Sequence, residues 1–274
     1  MQMGNETNST TLLVDGHVHI YPNYAWPTAL KSLLENLTRF TEQKPCCSVV
    51  GLLTESKSCQ FYKEVIEKGA PLTLDSLQVA AGPDVGSLVI RENGRIRGYL
   101  IAGRQIVTRE NLEFLALGAD LVIPDGLPAI ETLQAITEQG AVPVLSWSPG
   151  KWFFGRGKLV KTLISSNLPD SFLIGDTGLR PMVWGLPRLM GMANQRGYRI
   201  IGGSDSLPLS GEERWLGSYG FQITSAFDPQ QPAASLRRIL QSPESRFVPI
   251  GGRNAVSAFA ARWGRNQLRK HVFA

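Results

Sequence analysis

Cysteine and histidine are scarce in this chain, which contains three of each among its 274 residues. The cysteines, Cys46, Cys47 and Cys59, are odd in number and show no C-x-x-C spacing. This pattern excludes a zinc ribbon and a framework of disulfides, and it is typical of proteins kept in a reducing compartment. We therefore expect a cytoplasmic protein.

Long apolar runs are also missing. No segment approaches the roughly 20 apolar residues that a membrane-spanning helix needs. The polar residues 1–10 lack the basic start and the apolar core of a secretory signal. We expect residues 1–10 to be a disordered lead-in, residues 11–274 to form a single domain, and the protein to have no membrane partner.

Charge of one sign is not concentrated either, because the net charge of +5 at pH 7 is spread along the chain. A modest and dispersed charge predicts no nucleic-acid partner. We expect a small-molecule substrate instead, and a homo-oligomer is compatible with this composition. The chain also lacks G-x-G-x-x-G after its first strand and G-x-x-x-x-G-K-[ST] throughout, which excludes the common glycine-rich phosphate loops.

What the chain does contain is an alternation of short apolar strands with helical segments. About eight such strands in a chain of this length predict an α/β fold of the (β/α)8 TIM-barrel type, with an open doubly wound sheet as the alternative. The pair Asn93-Gly94 between two apolar runs predicts a type I′ turn, so we place an antiparallel hairpin insertion around residues 86–102. A helix over 109–117 and a strand over 120–123 then resume the alternation.

The segment Asp15-Gly16-His17-Val18-His19 ends the first predicted strand. Alternate side chains of a strand point the same way, so His17 and His19 project from one face about 7 Å apart along the backbone. That spacing lets two imidazoles converge on one divalent cation. The alternative is a pair of histidines that form ordinary hydrogen bonds at a strand end.

Polar residues follow several of the later strands, where the active sites of (β/α)8 barrels lie. Asp176 is a candidate base, and Lys151 and Arg180 are candidates for binding a substrate carboxylate or phosphate. Trp147 is a candidate pocket wall. The alternatives are an ion pair with Asp176 that braces neighbouring loops, and simple packing of the indole.

Three short segments occur in a suggestive order: the H-x-H motif at 17–19, G-S-D-S at 203–206 and G-R-N-A at 252–255. Together they resemble motifs of the amidohydrolase superfamily of metal-dependent hydrolases. The resemblance implies that His17 and His19 bind a metal ion and that Asp205 is both a metal ligand and a general base.

The chain departs from that superfamily in its histidines. Members usually carry further histidines after the fifth and sixth strands, and two-metal members add a bridging lysine or a glutamate. This chain has no histidine between His19 and His271, and Trp147, Lys151 and Asp176 stand in that part of the sequence. The departure implies a mononuclear site with one divalent metal ion, for which zinc is expected.

The function that these residues imply is a divalent-metal-dependent hydrolase of a small polar substrate such as an amide, lactone or ester. A metal-activated water would attack the scissile bond, and Asp205 or Asp176 would accept its proton. One alternative is a non-catalytic barrel of the same superfamily that serves as a binding or scaffold protein, which the missing histidines favour. Further alternatives are a phosphoesterase and a metal-dependent lyase.

Overall fold

The computed structural model of the chain describes residues 9–41 and 47–272, apart from the side chains of 267–272. Its strands are β1 (Ser9–Val18), β2 (Cys47–Leu53), β3 (Leu72–Leu74), β4 (Leu77–Ala81), β5 (Ser87–Glu92), β6 (Arg95–Ile101), β7 (Gly103–Val107), β8 (Glu113–Leu117), β9 (Val142–Ser146), β10 (Leu173–Thr177), β11 (Ile200–Gly203), β12 (Tyr219–Ala226) and β13 (Val248–Gly251). Its α-helices are α1 (Trp26–Thr38), α2 (Phe61–Lys68), α3 (Ala129–Glu138), α4 (Phe154–Ser166), α5 (Arg188–Gln195), α6 (Pro232–Gln241) and α7 (Val256–Val272), and a 3-10 helix covers Glu212–Trp215.

The start of β1 bears on the predicted lead-in. β1 begins at Ser9, so the last two residues of the predicted disordered stretch belong to a strand. Residues 1–8 lie outside the described residues. Within the described residues, no helix is both long enough and apolar enough to cross a membrane.

The strands form two mixed sheets. The strand order is β13-β12-β1-β2-β6-β5-β4-β3 in the eight-stranded sheet and β11-β10-β9-β8-β7 in the five-stranded sheet. β1, β2 and β6 run parallel, as do β9, β10 and β11. β12 is antiparallel to β1, and β8 is antiparallel to both β7 and β9.

Neither sheet closes into a barrel, so the predicted (β/α)8 barrel is wrong. Such a barrel needs eight parallel strands, each followed by a helix. Here β12 takes the edge of β1 in the antiparallel direction, and no helix separates β6, β7 and β8. Residues 109–117, predicted as a helix, contain β8, and 120–123 form no strand. β8 is buried along its whole length, and such a strand lacks the alternation that distinguishes it from a helix.

The predicted hairpin, in contrast, is confirmed. β5 and β6 pair antiparallel through the two residues Asn93 and Gly94. Their φ angles are 50° and 75°, and a type I′ turn requires positive φ at both positions. The local chemistry of this turn therefore determines the local fold.

The two sheets meet in two places. Ala102 alone separates β6 from β7, so the chain passes directly from one sheet into the other. On the other side β11 lies against β1, where the Asp205 N–H donates to the His17 carbonyl over 3.0 Å and the Ser204 N–H donates to Asp15 Oδ1 over 2.8 Å. The carboxyl ends of β1, β10 and β11 therefore lie side by side.

The interior between the sheets is apolar. It contains fully buried side chains from both sheets, among them Leu12 of β1 and Val144 of β9, together with Leu236 of α6. Two outer layers cover the sheets, α1 and α2 on the eight-stranded sheet and α3, α4 and α5 on the five-stranded sheet. This packing holds the strand ends, and the residues that follow them, in fixed positions.

Candidate metal centre

His17, His19 and Asp205 converge where β1 and β11 end. The two histidine Nε2 atoms lie 3.0 Å apart, and Asp205 Oδ1 lies 3.5 Å from that of His17 and 3.8 Å from that of His19. Three atoms with these separations lie on a circle of radius about 2.0 Å, close to the zinc–nitrogen and zinc–oxygen distances of about 2.0–2.2 Å. Among the described residues, this is the one group of at least three His, Cys, Asp or Glu side chains with ligand atoms so close together. The three residues can hold a divalent metal ion.

The close contact between β1 and β11 sets this geometry, and Gly203 permits it. A Cβ atom on Gly203 would lie 2.4 Å from both the backbone nitrogen and the Cβ of His17, a separation at which something must shift. Because glycine has no Cβ, the backbones can approach. The residues that follow Gly203 then bring Asp205 beside the histidines.

Asp205 is held by its backbone and by Thr177. Its φ is 50°, in the left-handed region that aspartate tolerates better than most residues. The Thr177 hydroxyl donates to Oδ2 over 3.0 Å, which leaves Oδ1 facing the histidines. Burial raises the pKa of Asp205, but the nearby His17 and His19 and the hydrogen bond from Thr177 lower it more, so the net pKa lies below the ordinary value. A metal ligand must be deprotonated, and this carboxyl group meets that condition.

The other ring nitrogen of His19 faces Thr54 and Cys59. Nδ1 lies 3.4 Å from the Thr54 hydroxyl oxygen and 3.6 Å from the Cys59 sulfur. These contacts orient the ring so that Nε2 points at Asp205, just as hydrogen bonds to the other ring nitrogen orient histidine ligands in metal sites. Burial raises the pKa of the Cys59 thiol, but the hydrogen bond and the charge of His19 lower it more, so the net pKa is lowered.

Asp15 connects the chain segments that carry the candidate site, but its own carboxylate does not face the site. Its carboxylate accepts hydrogen bonds from the N–H groups of His17, Ser204 and Gly217 over 3.1, 2.8 and 2.8 Å. Burial raises the pKa of Asp15 to about 6, although hydrogen bonds from Ser204 and the two other N–H groups lower it. Asp15 therefore joins β1 to the segment after β11 and to the start of β12.

Two residues beside the site, Gln105 and Glu113, are missing from the sequence prediction. Gln105 Oε1 lies 3.0 Å from Nε2 of His17, and its amide nitrogen donates to Glu113 Oε1 over 3.3 Å. Gln105 thus offers a neutral oxygen next to the three candidate ligands. The sequence holds little signal for either residue, because a glutamine within a strand is not a typical ligand and Glu113 lies in a segment predicted as a helix.

Asp176 and Arg180 form a buried ion pair with each other. Arg180 Nε and Nη2 donate to the two carboxylate oxygens of Asp176 over 2.8 and 2.6 Å, and the Tyr219 hydroxyl donates to Asp176 Oδ2 over 2.8 Å. Nη1 of Arg180 donates to the carbonyls of Trp184 and Gly185. Burial lowers the pKa of Arg180, but the bond to Asp176 raises it more, so the net pKa is raised. This is the bracing arrangement named above, while a catalytic Asp176 and a substrate-binding Arg180 stay predictions.

Lys151 and Trp147 differ in their access to a substrate. Lys151 Nζ contacts Glu113 Oε1, and its side chain remains 30% exposed. Trp147 is 1% exposed and packs with its ring perpendicular to that of Trp184. Lys151 can therefore reach an anion from solvent, whereas Trp147 belongs to the core. Their substrate-binding roles stay predictions.

The fold is similar to that of known structures, although the sequence is not. No protein-family model matches the chain, and no curated protein matches it significantly. PsfC from Pseudomonas syringae PB-5123 superposes with a TM-score of 0.55 at 14% identity, over 97% of this chain and 100% of PsfC. The lesion-specific endonuclease PfuEndoQ from Pyrococcus furiosus superposes with a TM-score of 0.50 at 12% identity, over 88% of this chain and 59% of the endonuclease. An endonuclease Q in complex with a 27-mer duplex substrate superposes with a TM-score of 0.44 at 11% identity, over 85% of this chain and 56% of that protein. At these identities the likeness shows a shared fold alone.

Two expectations are corrected by these findings. The resemblance to the amidohydrolase superfamily is wrong, because no family model matches, the similar structures found are PsfC and endonuclease Q, and the sheets are not closed. H-x-H and G-S-D are short, and strand ends in other folds can also carry them. The exclusion of a nucleic-acid partner is wrong as well, because the fold also occurs in the lesion-specific endonuclease PfuEndoQ and is therefore compatible with such a partner. A net charge averages over the whole surface and does not reveal a local cluster of cations.

Proposed function

We propose that this protein is a hydrolase of phosphate esters that depends on one divalent metal ion, with zinc the expected ion, held by His17, His19 and Asp205. The observation that carries this proposal is the convergence of the three ligand atoms on a circle of about 2.0 Å radius. A set of two histidines and one carboxylate leaves one coordination position open, as catalytic zinc sites do.

Each residue of the site has a defined task in this proposal. His17 and His19 present their Nε2 atoms, and Asp205 presents Oδ1 while Thr177 donates to Oδ2. When bound, the cation supplies a Lewis acid that polarises a phosphoryl oxygen and lowers the pKa of water toward about 7. Asp205 is the carboxylate of the group and would also serve as the general base of the reaction.

The choice of a phosphate ester rests on two features. The fold is shared with an endonuclease, a class of enzyme that cleaves phosphodiesters. Lys151, which is 30% exposed, places its ammonium group on Glu113, and Glu113 is joined through Gln105 to His17. An ammonium group in that place favours an anionic substrate over a neutral amide or lactone.

A second candidate function is binding without catalysis. The ion pairs that two further carboxylates, Asp176 and Glu113, form with cations favour it. Asp176 is neutralised by Arg180, and Glu113 contacts Lys151. In the group formed by His17, His19 and Asp205, Asp205 is thus the one carboxylate. The presence of a metal ion and hydrolysis of a phosphodiester would both be absent in a simple binding protein, so the two functions can be separated by experiment.

The first prediction concerns metal content. Protein purified without chelator is expected to carry about one equivalent of divalent metal, since three ligands suffice for a catalytic site. The Asp205→Asn variant is expected to lose it, because the replacement amide carries no charge. Elemental mass spectrometry measures the content. Asp170→Asn is the matched control, since the Asp170 side chain is exposed and pairs with Arg199. Metal-free wild-type protein that takes up no added zinc would overturn the proposed site.

The second prediction concerns the hydroxyl that orients Asp205. Thr177→Val preserves shape but removes the donor to Asp205 Oδ2. We expect zinc affinity to fall by about 10–100-fold, the usual effect of losing a hydrogen bond that orients a metal ligand. Competition with a chromophoric chelator measures the affinity. The control is Thr162→Val, which removes an exposed hydroxyl bonded to the Lys158 carbonyl in α4. Equal affinities of the two variants would show that Thr177 does not act on the site.

A further inference from the structure

Exposed aromatic and apolar side chains gather on the two segments that follow β9 and β10. Phe153, Phe154 and Trp184 are 43%, 93% and 39% exposed, and Met182 and Val183 next to Trp184 are also exposed. Single exposed apolar residues are ordinary, but a contiguous group of this kind marks a surface that meets a partner.

The rings of Phe153, Phe154 and Trp184 line a cleft between α4 and α5 with a volume of about 720 Å³. The ring planes of Phe153 and Trp184 are within 17° of parallel, with centroids 6.4 Å apart. Trp147 and Trp152 are buried behind them and also line the cleft. The cleft therefore presents flat aromatic faces on a rigid base.

Its charged residues are all cations. Lys158, Lys161 and Arg188 line the cleft, and no Asp or Glu does. The stretches 147–169 and 177–204, which supply the cleft, contain no acidic residue at all. In the part of the chain that the structure describes, none of the three cations pairs with a carboxylate. The cleft is thus complementary to a polyanion with flat groups.

Phe154 adds a local argument. It has a φ of 55°, a conformation that is a genuine outlier for a bulky residue, and its ring is almost fully exposed. Both features cost free energy, and no packing within the chain offsets them. Strain of this kind clusters where a ligand is bound.

One chain segment supplies residues to the cleft and also contacts residues around the candidate metal centre. Ser148 and Lys151, on the segment between β9 and α4, contact Glu113, whose partner Gln105 touches His17. Trp184, on the opposite wall, is held by the hydrogen bond that Arg180 donates to its carbonyl. The segment between β9 and α4 therefore contributes both to the cleft and to the hydrogen-bond network that reaches His17.

We propose that this cleft binds single-stranded nucleic acid, with bases stacked on Phe153, Phe154 and Trp184 and phosphates near Lys158, Lys161 and Arg188. Stacking on aromatic faces inside a basic groove is the general mode of single-strand binding. The concave shape favours a strand over a lipid surface, which a protruding patch would enter more readily. This inference rests on the proposed phosphate-ester hydrolase and names its substrate class.

The test measures binding apart from hydrolysis. Fluorescence anisotropy of a labelled oligothymidylate of about 20 nucleotides is recorded with Asp205→Asn protein in EDTA, so that neither metal nor cleavage enters. Adding Phe154→Ala is expected to weaken binding about 5–150-fold, the effect of losing one stacked base. Adding Lys158→Ala and Lys161→Ala is expected to reduce the slope of log K against log salt by about 1.4. Val85→Ala, at a residue that is 87% exposed and outside the cleft, is the control.

Several outcomes overturn the inference. One is the absence of oligonucleotide binding, and another is binding that Phe154→Ala and the lysine changes leave intact. A third is binding to vesicles of phosphatidylcholine and phosphatidylserine, sensitive to Phe154→Ala, without binding to the oligonucleotide. If wild-type protein still hydrolyses bis(p-nitrophenyl) phosphate, any of these results removes the cleft assignment and leaves the proposed hydrolase standing.

Discussion

Hydrolysis of bis(p-nitrophenyl) phosphate by the zinc-loaded protein is expected to fall by about 10³-fold or more in the His17→Ala variant. A metal ion contributes several kcal/mol to the transition state, and each 1.4 kcal/mol is about tenfold in rate. His17 supplies one of three ligand atoms, and its loss leaves His19 and Asp205 alone at the site. The initial rate of nitrophenolate release at saturating zinc measures the effect.

Chemical rescue provides the control for this loss. Added imidazole can occupy the space that the His17 side chain leaves and restore a nitrogen ligand, so part of the lost rate is expected to return. Unfolding temperatures of variant and wild type without metal check that the fold survives. A His17→Ala protein that hydrolyses the diester within about tenfold of wild type, a difference of only 1.4 kcal/mol, would contradict the proposed mechanism.

Replacement of Arg180 by methionine is expected to lower the free energy of unfolding by about 3–5 kcal/mol, because it leaves the Asp176 carboxylate buried without its counter-ion. The two side chains are 6% and 3% exposed and joined by two hydrogen bonds. In a domain of this size the loss corresponds to a drop of roughly 6–20 °C in Tm. Urea unfolding at pH 7 measures it.

A double variant separates the ion pair from other effects of the substitution. Asp176→Asn combined with Arg180→Met removes both charges, and it is expected to recover part of the stability that the single change loses. Arg180→Lys is expected to remain destabilised, since an ammonium group cannot form both bonds to the carboxylate. If Arg180→Met instead raises KM and leaves unfolding unchanged, Arg180 contacts substrate, which is the other role that the sequence left open.

The parts of the fold that could be predicted from sequence depend on neighbouring residues. The hairpin follows from Asn93-Gly94, where positive φ is a property of two adjacent positions. The apolar pattern likewise predicts a helix over 128–138 and a strand over 142–146, which is where α3 and β9 lie. The direction in which distant strands pair cannot be predicted from neighbouring residues. Nothing within residues 219–226 shows that β12 runs antiparallel to β1, and that pairing is what prevents a barrel.

The same distinction applies to the candidate site. H-x-H is a local pattern, and the structure brings its two histidines together with Asp205, which the sequence also named. The partners that orient these ligands could not be foreseen, because Thr177, Gln105 and Thr54 lie on three other strands or strand ends. Nor could the sequence decide between an ion pair and a substrate role for Arg180. That question depends on which carboxylate a guanidinium meets in the folded chain.

The pairing of β1 has a consequence for the order in which the protein folds. β1 is the first described strand to leave the ribosome, yet its neighbour β11 and its partner β12 lie about 190 and 210 residues later. At about 5–20 residues per second, roughly 10–40 s pass before they are synthesised. Through that interval β1 can pair with β2 but keeps one edge of unpaired backbone groups, a surface prone to intermolecular association. Arrival of β11 and β12 closes this edge and brings Asp205 to His17, so the candidate metal centre is completed at a late step of folding.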